Sequence, residues 1–262
     1  MVGNIRYIYE DQDILICHKP AGMATEGAGA GRIDLISAAR NYLARKNRGN
    51  DSGRQRNLPP YVATVNRLDK PVEGIIVLAK SKKAAGSLAA QIKNHSTDKY
   101  YYALCCGQIE QDRGRLEDIL IRRQDTGLAA VISKEEADSF KEDAIVLRDG
   151  TKLRTIGGEP KRAILEYEVI SRQEDTTLLK VHLLTGRFHQ IRCQLSKAGH
   201  PILGDKDYES PESALCSEKL SVDRVCLVSY SFSFKHPGTG KKETFEIIPD
   251  NPAIRQLLSL QS

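Results

Sequence analysis

Residues 64–80, TVNRLDKPVEGIIVLAK, place Arg67 and Asp69 directly ahead of an apolar run. Ile75, Ile76, Val77, Leu78 and Ala79 read as an interior strand. A carboxylate at the mouth of such a strand either sits in a solvated turn or is held there for chemistry. If it is half-buried, it needs a positive partner to stay charged. A second dense stretch, residues 186–205, GRFHQIRCQLSKAGHPILGD, brings Arg187, His189, Gln190 and Arg192 together. Asp69 and Arg192 could complement each other. His189 and Gln190 are open to three uses: binding phosphate, capping a helix, or satisfying buried backbone groups. A hydrolytic alternative would use Asp69 with Glu73 or His189, as a glycosidase or nuclease does. Glycosidases generally require two carboxylates at a set separation.

These groups need a scaffold. Residues 5–9 and 13–18 read as two short strands around an EDQ turn. IDLISAARNYLARK, residues 33–46, reads as an amphipathic helix capped by Asp34, with Leu35, Ile36, Ala39 and Leu43 on one face. A basic, Gly- and Asn-rich loop follows and closes at Pro59 and Pro60. Ser81 can cap a second helix, where Ala84, Ala85, Leu88, Ala89 and Ile92 recur at helical spacing. KYYYALCCGQI is a strand candidate. Residues 123–161 are polar, with a capping box at Ser133 and Glu136 that predicts a short helix. GRFHQIRCQLSKAG predicts a helix from near Gly186 to Gly199, which would put Arg187 and Arg192 more than one turn apart. AILEYEVI, TLLKVHLL, DRVCLVSYSFSF and ETFEII complete a set in which strands outnumber helices and often neighbour each other. The expected class is α+β, a mainly antiparallel mixed sheet core with flanking helices and loops.

The chain has 262 residues, which suits one or two domains. With 40% hydrophobic and 28% charged residues it reads as an ordinary soluble globular chain, and no apolar run approaches a membrane span. The polar N-terminus is unlike a secretory signal. The formal charge of +5 is a mild excess that favours a polyanionic partner. Arg45, Lys46, Arg48, Arg54 and Arg56 crowd one segment, either a solvated loop or a phosphate-contacting arm. The six cysteines form no CxxC pair and no zinc spacing, so no metal site is expected and the reduced cytoplasm is the natural compartment.

Taken in order, these motifs resemble the RluA family of RNA pseudouridine synthases. NRLDKPVEGIIVLAK is similar to the family's catalytic motif. KYYYALCCG is similar to its Lys-x-Tyr-x-Ala strand, and LLTGRFHQIRCQLSKAGHPILGDKDY to its most recognisable segment. YIYEDQDILICHKPAGM and SFSFKHPGTG match its usual opening and ending. The resemblance runs from about residue 6 to about residue 249 and implies a single catalytic domain over residues 1–262. Many relatives carry an added S4-type RNA-binding domain. Here the chain starts at the first catalytic-domain strand, so that domain is expected to be absent.

The resemblance implies an enzyme that isomerises uridine to pseudouridine in tRNA or rRNA after flipping the base, with no cofactor. It assigns Asp69 as the catalytic carboxylate acting on the C1′ side of the sugar. Tyr101 would pack on the base and take the C5 proton, and Arg192 would pair with the aspartate. Arg67 would enter the stack that the uridine leaves. RNA contacts are expected from Asn66, Arg67, Arg187, His189 and Gln190, from the basic loop over residues 45–60, and from the insert at 123–161. The protein is expected to be a monomer. Departures from the family pattern are Asn66 for histidine, Val72 and Glu73 for a Thr-Ser type pair, Phe188 for a small hydroxyl residue, and Val228 for histidine. A carboxylate at 73 would raise the Asp69 pKa, repel a phosphate, or face solvent. The competing reading on the same fold is a catalytically inactive RNA-binding protein.

Overall fold

The computed structural model describes residues 4–29, 31–50 and 59–260, with residues 47–50 described by backbone alone. The chain forms two compact units, Met1–Asp98 with Val228–Asp250, and Lys99–Leu227 with Asn251–Ser262. In chain order the first contributes β1 (Arg6–Glu10), β2 (Ile14–Lys19), α1 (Leu35–Asn50), β3 (Ala63–Thr64), β4 (Glu73–Ala79) and α2 (Lys82–Lys93). Then come β5 (Asp98–Cys106), β6 (Arg113–Arg122), β7 (Ala129–Ile132), α3 (Lys134–Asp138), β8 (Ala144–Val146), β9 (Lys152–Arg154), β10 (Lys161–Gln173), β11 (Thr176–Leu183), α4 (Gln190–Lys197) and α5 (Pro211–Lys219). The chain returns to the first unit with β12 (Leu227–Lys235) and β13 (Lys242–Glu246), and ends in the second with α6 (Pro252–Ser259). The α+β class holds.

In the first unit β2 lies between β1 and β4, antiparallel to both. β12 runs parallel to β4, and β13 returns antiparallel to β12. Every residue of β2 and β4 is buried, which is why both read as continuous apolar runs. Ile14, Ile16, Ile75 and Val77 pack with Phe232 and Phe234 under Ala84 and Leu88 of α2. Ser81 caps that helix as expected, accepting from the Ala84 amide. Gly74 is required where β12 crosses closest. Its φ is +144°, and a Cβ would lie 2.5 Å from the Ser229 carbonyl oxygen.

In the second unit the sheet order is β5-β11-β10-β6-β7, antiparallel throughout. Cys193 of α4 packs on Leu120, Ala129 and Ala163. Residues 123–161 are more ordered than their polarity predicts. They hold β7, the Ser133-capped helix α3, and the β8–β9 hairpin. β6, α5 and α6 are additions to the sequence reading. Helix α1 runs four residues past the expected end, so Arg48 of the expected basic loop is helical along with Arg45 and Lys46. Arg54 and Arg56 lie outside the described residues. Helix α4 starts at Gln190, so Arg187 lies off the helix.

Candidate active site

Asp69 stands on a tight turn in the first unit, where the Val72 amide donates to its carbonyl at 3.0 Å. The turn is tied down by its neighbours' backbone. The Leu68 carbonyl accepts from Thr25 Oγ1 at 2.9 Å. The Lys70 carbonyl accepts from the Gly22 amide at 2.8 Å and from Lys19 Nζ at 3.3 Å. Asn66 is part-buried, donating to the Ile75 carbonyl at 3.0 Å and accepting from the Val77 amide at 2.8 Å. Its amide continues the strand ladder beside β4 and has a structural use that the RNA-contact expectation did not include. Leu68 and Val72 are buried while Arg67 is exposed. The Arg67 guanidinium touches only Glu26, at 3.2 Å, among the described residues.

Beneath this turn Lys19 is fully buried and donates to the Pro20, Met23 and Lys70 carbonyls. Burial pushes its pKa down to about 7, against the opposing pull of the Asp69 and Glu73 carboxylates. Glu73 does not face solvent, contrary to one expectation. It is 3% exposed, accepting from His18 Nε2 at 3.0 Å and from the Asp250 amide at 2.6 Å. His18 Nδ1 faces Arg6 Nη2. A guanidinium only donates, so the His18 proton is on Nε2, aimed at Glu73. His18, Glu73 and Asp250 bring three potential metal-ligand atoms within 4.8 Å. Arg6 also bonds Asp250 at 3.0 Å, so a guanidinium already supplies the positive charge there.

In the second unit Tyr101 is buried on β5 opposite Val181, while Tyr100 stacks on His182 with ring centroids 4.5 Å apart. The alternation expected for a strand is met. Arg192 is 2% exposed. Its Nε and Nη2 grip Asp205 at 2.6 and 2.5 Å, Nη2 also reaches Asp207 at 2.7 Å, and Nη1 donates to His189 Nε2 at 3.0 Å. With Nε2 accepting, His189 carries its proton on Nδ1, 3.1 Å from the Tyr208 hydroxyl. Its basic nitrogen is occupied, which removes the motive for a hydrolase base at this position. Gln190 is buried. Its Oε1 accepts from Thr185 Oγ1 at 2.8 Å and from the Arg187 amide at 3.0 Å, shaping the turn, while its buried Nε2 meets no acceptor among the described residues. Arg187 donates to the Arg162 carbonyl at 2.9 Å. Lys46 pairs with Glu10 at 2.8 Å.

Comparison with known proteins bears on these positions. The profile of the family described as RNA pseudouridylate synthase matches residues 13–197. The chain belongs to that family. Among its relatives, an uncharacterized RNA pseudouridine synthase of Aquifex aeolicus is 32% identical over 93% of this chain and 69% of its own length. A ribosomal large subunit pseudouridine synthase D of Zymomonas mobilis is 30% identical over 97% of this chain and 71% of its own. The solved human RNA pseudouridylate synthase domain containing 1 shares the fold, with a TM-score of 0.69 at 19% identity over 97% of this chain and 87% of its own. The members' reaction is an isomerisation, and residues 13–197 of the match include Asp69, Tyr101 and Arg192.

Asp205, Asp207, Tyr208 and Lys19 were absent from the sequence-based site. All four lie inside quoted motifs, LGDKDY and CHKPAGM, so position along the chain was their available signal.

Proposed function

We propose that this chain converts uridine to pseudouridine in RNA, with Asp69 as the catalytic carboxylate, Tyr101 as the base that takes the C5 proton, and Arg192 as the arginine serving the aspartate. The observation that carries the reading is the Asp69 turn. A half-exposed carboxylate is set on backbone hydrogen bonds beside an exposed arginine, in a chain of the pseudouridylate synthase family. The reaction breaks the bond between N1 of the base and C1′, turns the base, and joins C5 to C1′; the C5 proton leaves and N1 takes one up, so the product is an isomer. Asp69 acts at the sugar, either by attack at C1′ or by taking the C2′ proton. A stacked base exposes neither C1′ nor C5, so the uridine must flip out, and the exposed Arg67 would exchange its contact with Glu26 for the vacated place.

Relatives named ribosomal large subunit pseudouridine synthase C and D favour ribosomal RNA over transfer RNA as the substrate. The reaction has no redox step and calls for no cofactor, and the proposed setting is a cytoplasmic monomer. All six cysteines are free, in keeping with that compartment. Among the described residues no helix is long and apolar enough to cross a membrane. The inactive-protein reading leaned on a disturbed loop at Glu73, and the inward bonds of Glu73 remove that support.

The test is tritium release from RNA labelled at uridine C5, taken from cells lacking the gene. Release is expected without strand cleavage or free uracil. Asp69→Asn should slow it by about 10³-fold or more while leaving the circular dichroism spectrum unchanged. No release by the unaltered protein would defeat the proposal.

A further inference from the structure

Phe188 departs from the family pattern, and the structure shows what it touches. Its ring, 40% exposed, stacks on His189 with centroids 3.8 Å apart and planes 16° from parallel. His189 has a left-handed backbone, φ 51°, which lets adjacent rings lie face to face. The guanidinium of Arg122 lies 4.1 Å from the Phe188 centroid. This cation–π contact braces the group, and a small hydroxyl residue could not make it. Arg122 Nε is fixed as well, donating to the Gly127 carbonyl at 3.0 Å.

Arg122 differs from most arginines of this sheet in lacking an anion. Arg113, Arg115, Arg123 and Arg162, also on or beside this sheet, each meet a carboxylate within 3.1 Å. Among the described residues Arg122 meets none, and it is exposed. Its Nη donors are thus oriented and unused. Other cations border the same turn. The Lys99 ammonium packs close to Gly186, where a Cβ would lie 3.4 Å from its Nζ. Burial first, and the nearby Arg187 second, hold the Lys99 pKa below its ordinary value.

We propose that Arg122, braced on Phe188, binds a backbone phosphate of the RNA substrate through its Nη donors. The fork of a fixed guanidinium matches two phosphate oxygens, and bracing lowers the ordering cost of the contact. The inference rests on the RNA-modifying reading and names a contact within it.

The experiment measures binding of a fluorescein-labelled single-stranded oligouridine against salt, together with kcat and KM for tritium release. Arg122→Gln should weaken binding about tenfold. It should also make the log–log salt slope shallower by about 0.7, the share of one phosphate on a single strand. Arg122→Lys should keep the wild-type slope. Phe188→Ser should weaken binding about threefold with the slope intact, because the charge stays and only its brace is lost. The changes in activity should appear in KM, with kcat within about twofold of wild type. A wild-type slope in Arg122→Gln overturns the inference. So does an Arg122→Lys protein that keeps the slope yet binds as weakly as Arg122→Gln, since that pattern marks base stacking. If the unaltered protein releases no tritium while Arg122→Gln changes the slope, the enzymatic reading fails and the phosphate contact stands. If tritium is released and Arg122→Gln behaves as wild type, the reverse holds.

Discussion

In the first unit, the turn bearing Asp69 is tied through the Leu68 and Lys70 carbonyls to Thr25, Gly22 and Lys19. In the second, Arg192 is gripped by the Asp205 and Asp207 carboxylates and by His189. One charged side chain is placed by fixing the backbone beneath it. The other is placed by pairing its own donors. Backbone ties leave the carboxylate's chemistry to its own surroundings. Side-chain ion pairs make a buried arginine part of the fold, because an unpaired guanidinium there would be costly.

That difference predicts which replacements unfold the protein. Asp205→Ala should cost about 3 kcal/mol in urea denaturation, because it strips the bidentate partner from a buried guanidinium. Asp207 is half-exposed, and Asp207→Ala should cost less than about 1 kcal/mol. Equal losses from the two variants would show that Arg192 is not held chiefly by its buried partner.

The same contrast marks what could be read from the chain. Asp34, Ser81 and the Ser133–Glu136 box were legible because a cap bonds within three residues of itself. β2 and β4 were legible because burial on both faces leaves an unbroken apolar run. β6 was hidden. Arg113, Arg115 and Glu117 line its exposed face in cross-strand ion pairs, and Gly114 and Asp118 interrupt the other face. Within the candidate site, Asp69 and Arg192 stand in dense motifs. Asp205 and Asp207, which grip Arg192, lie 13 and 15 residues further on and meet it only through the bend after α4. The direction of Glu73 was equally closed to inspection, since a strand buried on both faces gives no polar side to read.

Glu73 sharpens the comparison from the first unit, where a buried carboxylate supports the turn from below. Glu73→Ala should cost about 2 kcal/mol, because the His18 Nε2 proton and the Asp250 amide both lose their acceptor. Glu73→Gln keeps an oxygen there and should cost less than about 1 kcal/mol. Both proteins, once folded, should retain tritium release. A folded Glu73→Gln protein without activity would move Glu73 from support into the chemistry.

Lys19 gives the smallest and most specific signal. Its folded pKa is about 7, lowered chiefly by burial, against an ordinary value of 10.5. Below pH 7 both folded and unfolded chains hold the proton, and Lys19 adds no pH dependence. Above it, the folded chain gives the proton up while the unfolded chain keeps it. The unfolded state then binds more protons, so stability rises with pH, by at most about 1.4 kcal/mol per unit. The useful window is about pH 7 to 8.5; unfolded thiols also begin to ionise within it, equally in wild type and variant, so the difference between the two proteins carries the signal. Urea denaturation of wild type and Lys19→Met across that window isolates the term. Lys19→Met should be less stable throughout, since the Pro20, Met23 and Lys70 carbonyls lose a donor, and its stability should rise less steeply with pH. Parallel curves would mean that the ammonium keeps its proton through the window, held by Asp69 and Glu73 more strongly than burial opposes it.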